Sequence, residues 1–245
     1  MGKPRARKKA GNVTSLYENP DDFFDRGPNN TVKKETPSGR KYRKNITPRT
    51  PNQQILATSL EDDDLTFAIG KPGSGKTFLS VAKGIEALDA GQFDKIVLTR
   101  PAVEAGEKLG YLPGDMKEKV DPYLLPLYDA ILERMPKKRM EGLIHDGKIE
   151  IAPVGFLRGR TLSNAYVICD EAQNCTYMQL KMIYTRMGLG SKMVFTGDLE
   201  QSDIHDSGLA EMVKRLDGVS GISVCRLEAE DIVRHPLLAK TAHLL

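Results

Sequence analysis

A chain of 245 residues that is 40% hydrophobic carries enough apolar material for one medium domain plus a tail, or at most two small domains. No window approaches the roughly 18 apolar residues of a membrane span, and the basic N-terminus has no apolar run behind it, so neither a transmembrane helix nor a secretory signal is expected. The net charge of +3 divides unevenly, with residues 1–50 at +8 and the remainder at −5, the pattern of a basic tail on a mildly acidic body.

Residues 1–48 are rich in Lys, Arg, Pro, Asn and Gly and poor in apolar side chains, so they are predicted to be a disordered tail. That tail either contacts a polyanion or only keeps the protein soluble. Residues 49–245 are predicted to form one domain. A short helix over 52–60 opens it. Gln53, just ahead of the first strand, could read an adenine edge with its amide or be an ordinary exposed glutamine. The apolar run 65–69 reads as a strand. Gly70, Lys71, Pro72, Gly73, Ser74, Gly75, Lys76 and Thr77 then match G-x-x-x-x-G-K-[ST], and Phe78 begins an apolar pattern at helical spacing. Glycines let backbone N–H groups curl around a phosphate, and the helix N-terminus adds partial positive charge. Gly70, Gly73, Ser74, Gly75, Lys76, Thr77 and Phe78, with Gln53, are the predicted nucleotide-binding set. Lys76 would reach the β- and γ-phosphates and Thr77 would bind Mg²⁺.

A second strand is expected over 95–101, with Arg100 at its polar end, where α/β sheets carry ligands. The glycine-rich loop 104–114 holds one aromatic, Tyr111. Residues 116–135 are amphipathic at helical spacing but contain Pro122 and Pro126, which predict a break or kink. A strand follows over 148–152, then a loop with Arg158 and Arg160. Residues 166–171 read as a strand ending in Asp170 and Glu171. A helix over 178–187 and a strand over 192–198 come next, then a strand over 222–226 and a helical stretch over 228–240 broken at Pro236. Strands alternating with helices predict a parallel sheet with right-handed crossovers. Cys169, Cys175 and Cys225 form no C-x-x-C pair and the four histidines lack ligand spacing, which predicts reduced thiols in a cytoplasmic protein.

Asp170 at the end of an apolar strand is placed to hold Mg²⁺, and Glu171 to act as general base on an attacking water. Gln201, in the G-D-x-x-Q string of Gly197, Asp198 and Gln201, would touch the γ-phosphate and report its loss. The Asp-Glu-Ala-Gln-Asn run from Asp170 and the Gly-Asp-x-x-Gln run resemble the second and third motifs of superfamily-one helicases. With Thr50-Pro51-Asn52-Gln53, the phosphate loop, the run from Leu98 to Gly114, Arg158-Gly159-Arg160-Thr161, Ser207-Gly208-Leu209 and Val233-Arg234-His235, the whole set resembles the PhoH family of ATPases over residues 50 to about 240.

The resemblance implies an α/β fold: a RecA-like P-loop NTPase core, mainly parallel sheet flanked by helices. It implies ATP and Mg²⁺, single-stranded RNA or DNA as partner, no membrane, and a homo-oligomeric ring with a hexamer as the expected size. Full helicases bring an arginine from a second RecA-like domain, and only about 45 residues follow Gln201. The expected source is therefore a neighbouring subunit, through the Arg158–Arg160 loop or Arg234, unless these arginines are structural. Arg100 would contact nucleic-acid phosphate, and Tyr111 would stack on a base or pack on its own loop. An RNA-dependent ATPase or helicase-type motor is the leading expectation. A nucleotide-gated binding module is the alternative. A small-molecule kinase ranks last, because the Asp-Glu pair favours attack by water.

Overall fold

Strands buried on both faces read as near-continuous apolar runs, and four segments of this chain do so. The computed structural model describes residues 46–101 and 116–232. In chain order its elements are α1 (Pro51–Asp62), β1 (Leu65–Gly70), α2 (Lys76–Asp89), β2 (Lys95–Arg100), α3 (Met116–Leu132), α4 (Lys137–His145), β3 (Ile149–Pro153), β4 (Ala165–Cys169), α5 (Tyr177–Tyr184), β5 (Lys192–Gly197), α6 (Leu209–Leu216) and β6 (Ile222–Leu227). The strands form one six-stranded sheet in the order β3-β2-β4-β5-β1-β6, with every neighbouring pair parallel. Among the described residues no helix is long and apolar enough to cross a membrane.

Alternation along the strands supplies two cores. Ala68, Ile96, Leu98, Tyr166, Ile168 and Val194 face one way, under α1 to α4. Phe67, Val97, Val167, Met193 and Phe195 face the other, under α5 and α6. Phe67 and Phe195 are partners in the β1–β5 register and their rings stack at 5.5 Å. Gly84 lets α2 lie directly on the sheet. A Cβ there would come within 2.9 Å of the Tyr166 ring.

Local signals fix the helix starts. Thr50 caps α1 by accepting from the Gln53 N–H, with Pro51 at the first helical position. Thr176 and Gln179 form a reciprocal capping box at α5.

The structure differs from the sequence expectation in three places. α3 runs unbroken through Pro122 and Pro126. Both prolines lie on its exposed side, while Leu124, Leu127, Tyr128 and Ile131 keep the opposite face packed. α4 and α6 are additions to the expected elements. α6 was legible: Leu209, Met212, Val213 and Leu216 fall at i, i+3, i+4 and i+7, and Glu211 pairs with Arg215 one turn on. Of the stretch expected after residue 228, a short 3-10 turn over Ala229–Asp231 is described. The basic tail up to residue 45, Tyr111 and Arg234 lie outside the described residues.

Tyr166 is among the largest fully buried side chains, and its hydroxyl finds no hydrogen-bond partner among the described residues. Burial, and to a smaller degree the Glu61 carboxylate, push its ionisation far up, so the hydroxyl stays neutral. An unsatisfied buried hydroxyl costs about 1–3 kcal/mol. Tyr166→Phe keeps the ring against Gly84 and Phe93 and removes that cost. Its thermal midpoint is expected to rise by about 2–12 °C; a fall would mean that the hydroxyl is hydrogen-bonded in solution.

Candidate nucleotide site

The loop between β1 and α2 depends on backbone conformations that side chains rarely allow. Gly70, Gly73 and Gly75 have φ of +154°, +84° and +92°. Gly70 also touches β6, since a Cβ there would lie 2.3 Å from the Leu227 carbonyl oxygen. Gly75 turns the chain so that α2 starts at Lys76, and the Ser74 hydroxyl ties back to the Lys71 carbonyl at 2.8 Å. The Lys76 ammonium donates to the carbonyls of Gly70 and, at 2.9 Å, Lys71, so it folds over its own loop. Burial lowers its pKa below the ordinary lysine value, and the carboxylates of Asp198, Glu171 and Asp170 recover part of that loss. An anion in the loop would favour the charged form further.

Thr77, the second residue of α2, reaches the strand ends. Its hydroxyl donates to Asp170 Oδ1 at 2.7 Å, and the Thr196 hydroxyl at the end of β5 donates to the same oxygen at 2.5 Å. Asp170 is buried, and its own N–H bonds the Thr99 carbonyl at 2.8 Å, continuing the β2–β4 pairing. Glu171 takes φ +51° and ψ +43°, a left-handed conformation costing about 1–3 kcal/mol in a non-glycine residue. Its Oε2 accepts from the Gln173 amide at 2.5 Å and its Oε1 lies 3.4 Å from Arg100 Nη2. Gln173 in turn accepts from the Asp198 N–H at 3.1 Å, linking the two carboxylate motifs. Except for Thr99, these residues line a cleft of about 440 Å³ together with Phe78, Asn174, Gln201 and Asp203.

Oxygen donors suited to Mg²⁺ converge here. The Thr77 hydroxyl and the Asp170 carboxylate stand at the loop, and Asp198 Oδ2 is buried without a hydrogen-bond partner among the described residues. Among the described residues no three carboxylate, His or Cys side chains form a complete metal cage. Mg²⁺ needs none, because it takes one or two protein oxygens and fills its octahedron with substrate phosphates and water. The residues present therefore fit a Mg²⁺–nucleotide.

Three expected roles meet a different geometry. Gln53 is buried, with its amide N–H groups donating to the Ser74 carbonyl at 3.0 Å and the Asp231 carbonyl at 3.3 Å. Its amide oxygen accepts from the Arg49 N–H at 2.9 Å, so the side chain braces the phosphate loop instead of offering an edge to a base. Arg100 faces the cleft between Glu171 and Asp170 (3.4 and 3.8 Å), because the β2–β4 register aligns the two strand ends. Arg160 makes a bidentate pair with Glu150, Nη2 to Oε2 being 2.8 Å, and is held within its own subunit. Burial would raise the Glu150 carboxyl, but the hydrogen bonds and charge of Arg160 hold it below the usual range. Arg158 is exposed.

The profile of the family described as PhoH-like protein matches residues 45–245. The chain belongs to the PhoH-like protein family. It is 53% identical over 200 residues to a PhoH-like protein of Bacillus subtilis (strain 168), an alignment covering 80% of this chain and 63% of that protein. It is 40% identical over 203 residues to Protein PhoH of Escherichia coli (strain K12), covering 81% and 57%. The chain thus spans less than two thirds of the length of these relatives. The large terminase of a thermophilic bacteriophage shares the fold, with a TM-score of 0.51 at 15% identity over 80% of this chain and 50% of that one. The fold of the PhoH-like chain is a RecA-like P-loop core, a parallel sheet flanked by helices.

Sequence reasoning did not single out Thr196, Gln173 and Asn174 individually, although all three stand in the motif strings. The signal for Thr196 is a lone hydroxyl near the end of an otherwise apolar strand. Asn174 and Asp203 exchange two hydrogen bonds of 2.8 and 2.9 Å and close the cleft's far side.

The brace at Gln53 has a direct test. Gln53→Ala leaves the buried Ser74 carbonyl short of a donor, and about 1–3 kcal/mol of stability should go with it. In titrations the variant should lose ATP and GTP affinity by the same factor. A loss confined to ATP would restore the base-reading role.

Proposed function

We propose that this PhoH-like chain hydrolyses ATP and couples the cycle to single-stranded nucleic acid, RNA in the first instance, as a homo-oligomeric ring. The observation that carries the reading is the 2.7 Å hydrogen bond between Thr77 and Asp170, which joins a phosphate-binding loop to a carboxylate strand across one cleft. In this reading the loop N–H groups and Lys76 hold the β- and γ-phosphates. Thr77 and Asp170 hold Mg²⁺, which when bound neutralises phosphate charge. Glu171 accepts a proton from the attacking water. The water oxygen bonds the γ-phosphorus while the bond to the β–γ bridging oxygen breaks, and its electron pair leaves with ADP. Gln201 at the cleft mouth touches the γ-phosphate until it departs.

Partner binding rests on charge and on the family. The +8 of residues 1–50 suits a phosphate backbone, and Tyr111 would stack on a base. A ring would set the exposed Arg158, or Arg234, against the next subunit's cleft. The second reading, a nucleotide-gated binding module, is favoured by one observation: Glu171 Oε2 is engaged by the Gln173 amide at 2.5 Å, and in that reading turnover waits on its release.

Glu171→Gln should still bind ATP and lose about 10²–10⁴-fold in turnover, whereas Lys76→Ala should lose binding itself. Steady-state hydrolysis with and without single-stranded RNA separates the two readings. Stimulation by RNA supports the motor. RNA affinity that follows nucleotide state, with turnover flat, supports the gated module.

A further inference from the structure

We infer that Arg100 is a catalytic residue, the arginine that contacts the terminal phosphate of the bound nucleoside triphosphate in cis, so that basal hydrolysis does not wait on an arginine from a neighbour. The inference rests on reading the cleft as an ATP-hydrolysing site. Its position is set by the main chain. Thr99 and Cys169 are partners in the β2–β4 register, so Arg100 and Asp170 are the next residues off the two adjoining strand ends. No loop rearrangement is needed to bring the guanidinium to the carboxylates.

Charge in the cleft calls for it. Among the described residues lining the cleft, the cations are Lys76 and Arg100, against the carboxylates of Asp170, Glu171, Asp198 and Asp203. A triphosphate brings further negative charge into a wall that is already acidic. Lys76 stands on the loop side, over the carbonyls of Gly70 and Lys71. Arg100 stands at the strand ends, beside Glu171 and Asp170, where the water-activating group would meet the γ-phosphate.

Arg100 also has donors to give. Its contacts of 3.4 Å to Glu171 and 3.8 Å to Asp170 are longer than the roughly 2.7–2.9 Å of a committed charge-assisted hydrogen bond. Arg160 shows the contrast, with both ends of its fork closed on Glu150. A guanidinium has five N–H donors in a planar fork that matches phosphate oxygens. Arg100 holds Glu171 loosely and can turn part of the fork to a phosphate without leaving it. As the γ-phosphoryl transfers, charge spreads over its three outer oxygens, and an arginine at that point contributes about 10³–10⁵ in rate.

The test compares full-length wild type with Arg100→Ala and Arg100→Lys in three measurements. Basal hydrolysis without nucleic acid should fall about 10³-fold or more in Arg100→Ala, with Arg100→Lys between the two. Fluorescent ATP and ADP analogues, titrated separately, should show the ATP affinity dropping at least tenfold while the ADP affinity holds within about twofold. Mixing Arg100→Ala with Lys76→Ala should restore nothing, because a cis arginine and an intact loop never share one site in the mixture. The ATP-against-ADP split needs no turnover, and it is read from Arg100→Lys if the alanine variant does not fold. Wild-type hydrolysis with Arg100→Ala turnover within threefold overturns the inference alone. Equal losses of ATP and ADP affinity, or activity regained on mixing, also overturn it. A wild type that binds neither nucleotide takes down the site reading and this inference together.

Discussion

One carboxylate oxygen organises the working end of this molecule. Asp170 Oδ1 receives the hydroxyls of Thr77, at the start of α2, and Thr196, at the end of β5. Through its backbone it stays in register with β2, and Oδ2 faces Arg100. The ends of β2, β4 and β5 and the loop after β1 are thereby tied to a single side chain. Hydrogen bonds to a charged acceptor in a buried place are among the stronger ones available, about 1.5–3 kcal/mol each. They also hold the geometry that a phosphate and a metal would need, since both hydroxyl and carboxylate are hard oxygen donors at the foot of the loop.

A second layer keeps the loop pressed toward that carboxylate. Gln53 bonds the loop at Ser74 and the turn at Asp231, and Asp231 receives Asn52 at 2.9 Å, the Glu228 N–H at 2.6 Å and the Thr50 hydroxyl. Burial alone would push the Asp231 carboxyl up, and these donors hold it below the usual range. The entry helix, the phosphate loop and the segment after β6 are thus one polar network.

Much of this could be read in the sequence, and what could not has a common cause. The phosphate loop, Asp170 and Glu171 are legible because loop geometry and metal chemistry restrict the residue types locally. The strands are legible because burial on both faces demands apolar runs. The contacts of Arg100 with Glu171 and Asp170 were not legible because they depend on sheet order, and crossover connections leave the position of β2 beside β4 open to a single sequence. The partners of Gln53 were hidden for the same reason: they are residues 74 and 231, far away in the chain. The continuity of α3 depended on which side of the helix its prolines face, and tertiary packing decides that.

The account's central claim is that Asp170 makes one nucleotide site out of the loop and the strand ends. Thermal melting with a slowly hydrolysed ATP analogue, with and without Mg²⁺, tests it most directly. A ligand at 100 times its Kd should add about 2.7 kcal/mol to wild type. Asp170→Ala should melt lower without ligand and lose the Mg²⁺-dependent part of the gain. An Asp170→Ala protein that keeps the wild-type shift, with the same Mg²⁺ dependence, would contradict the account.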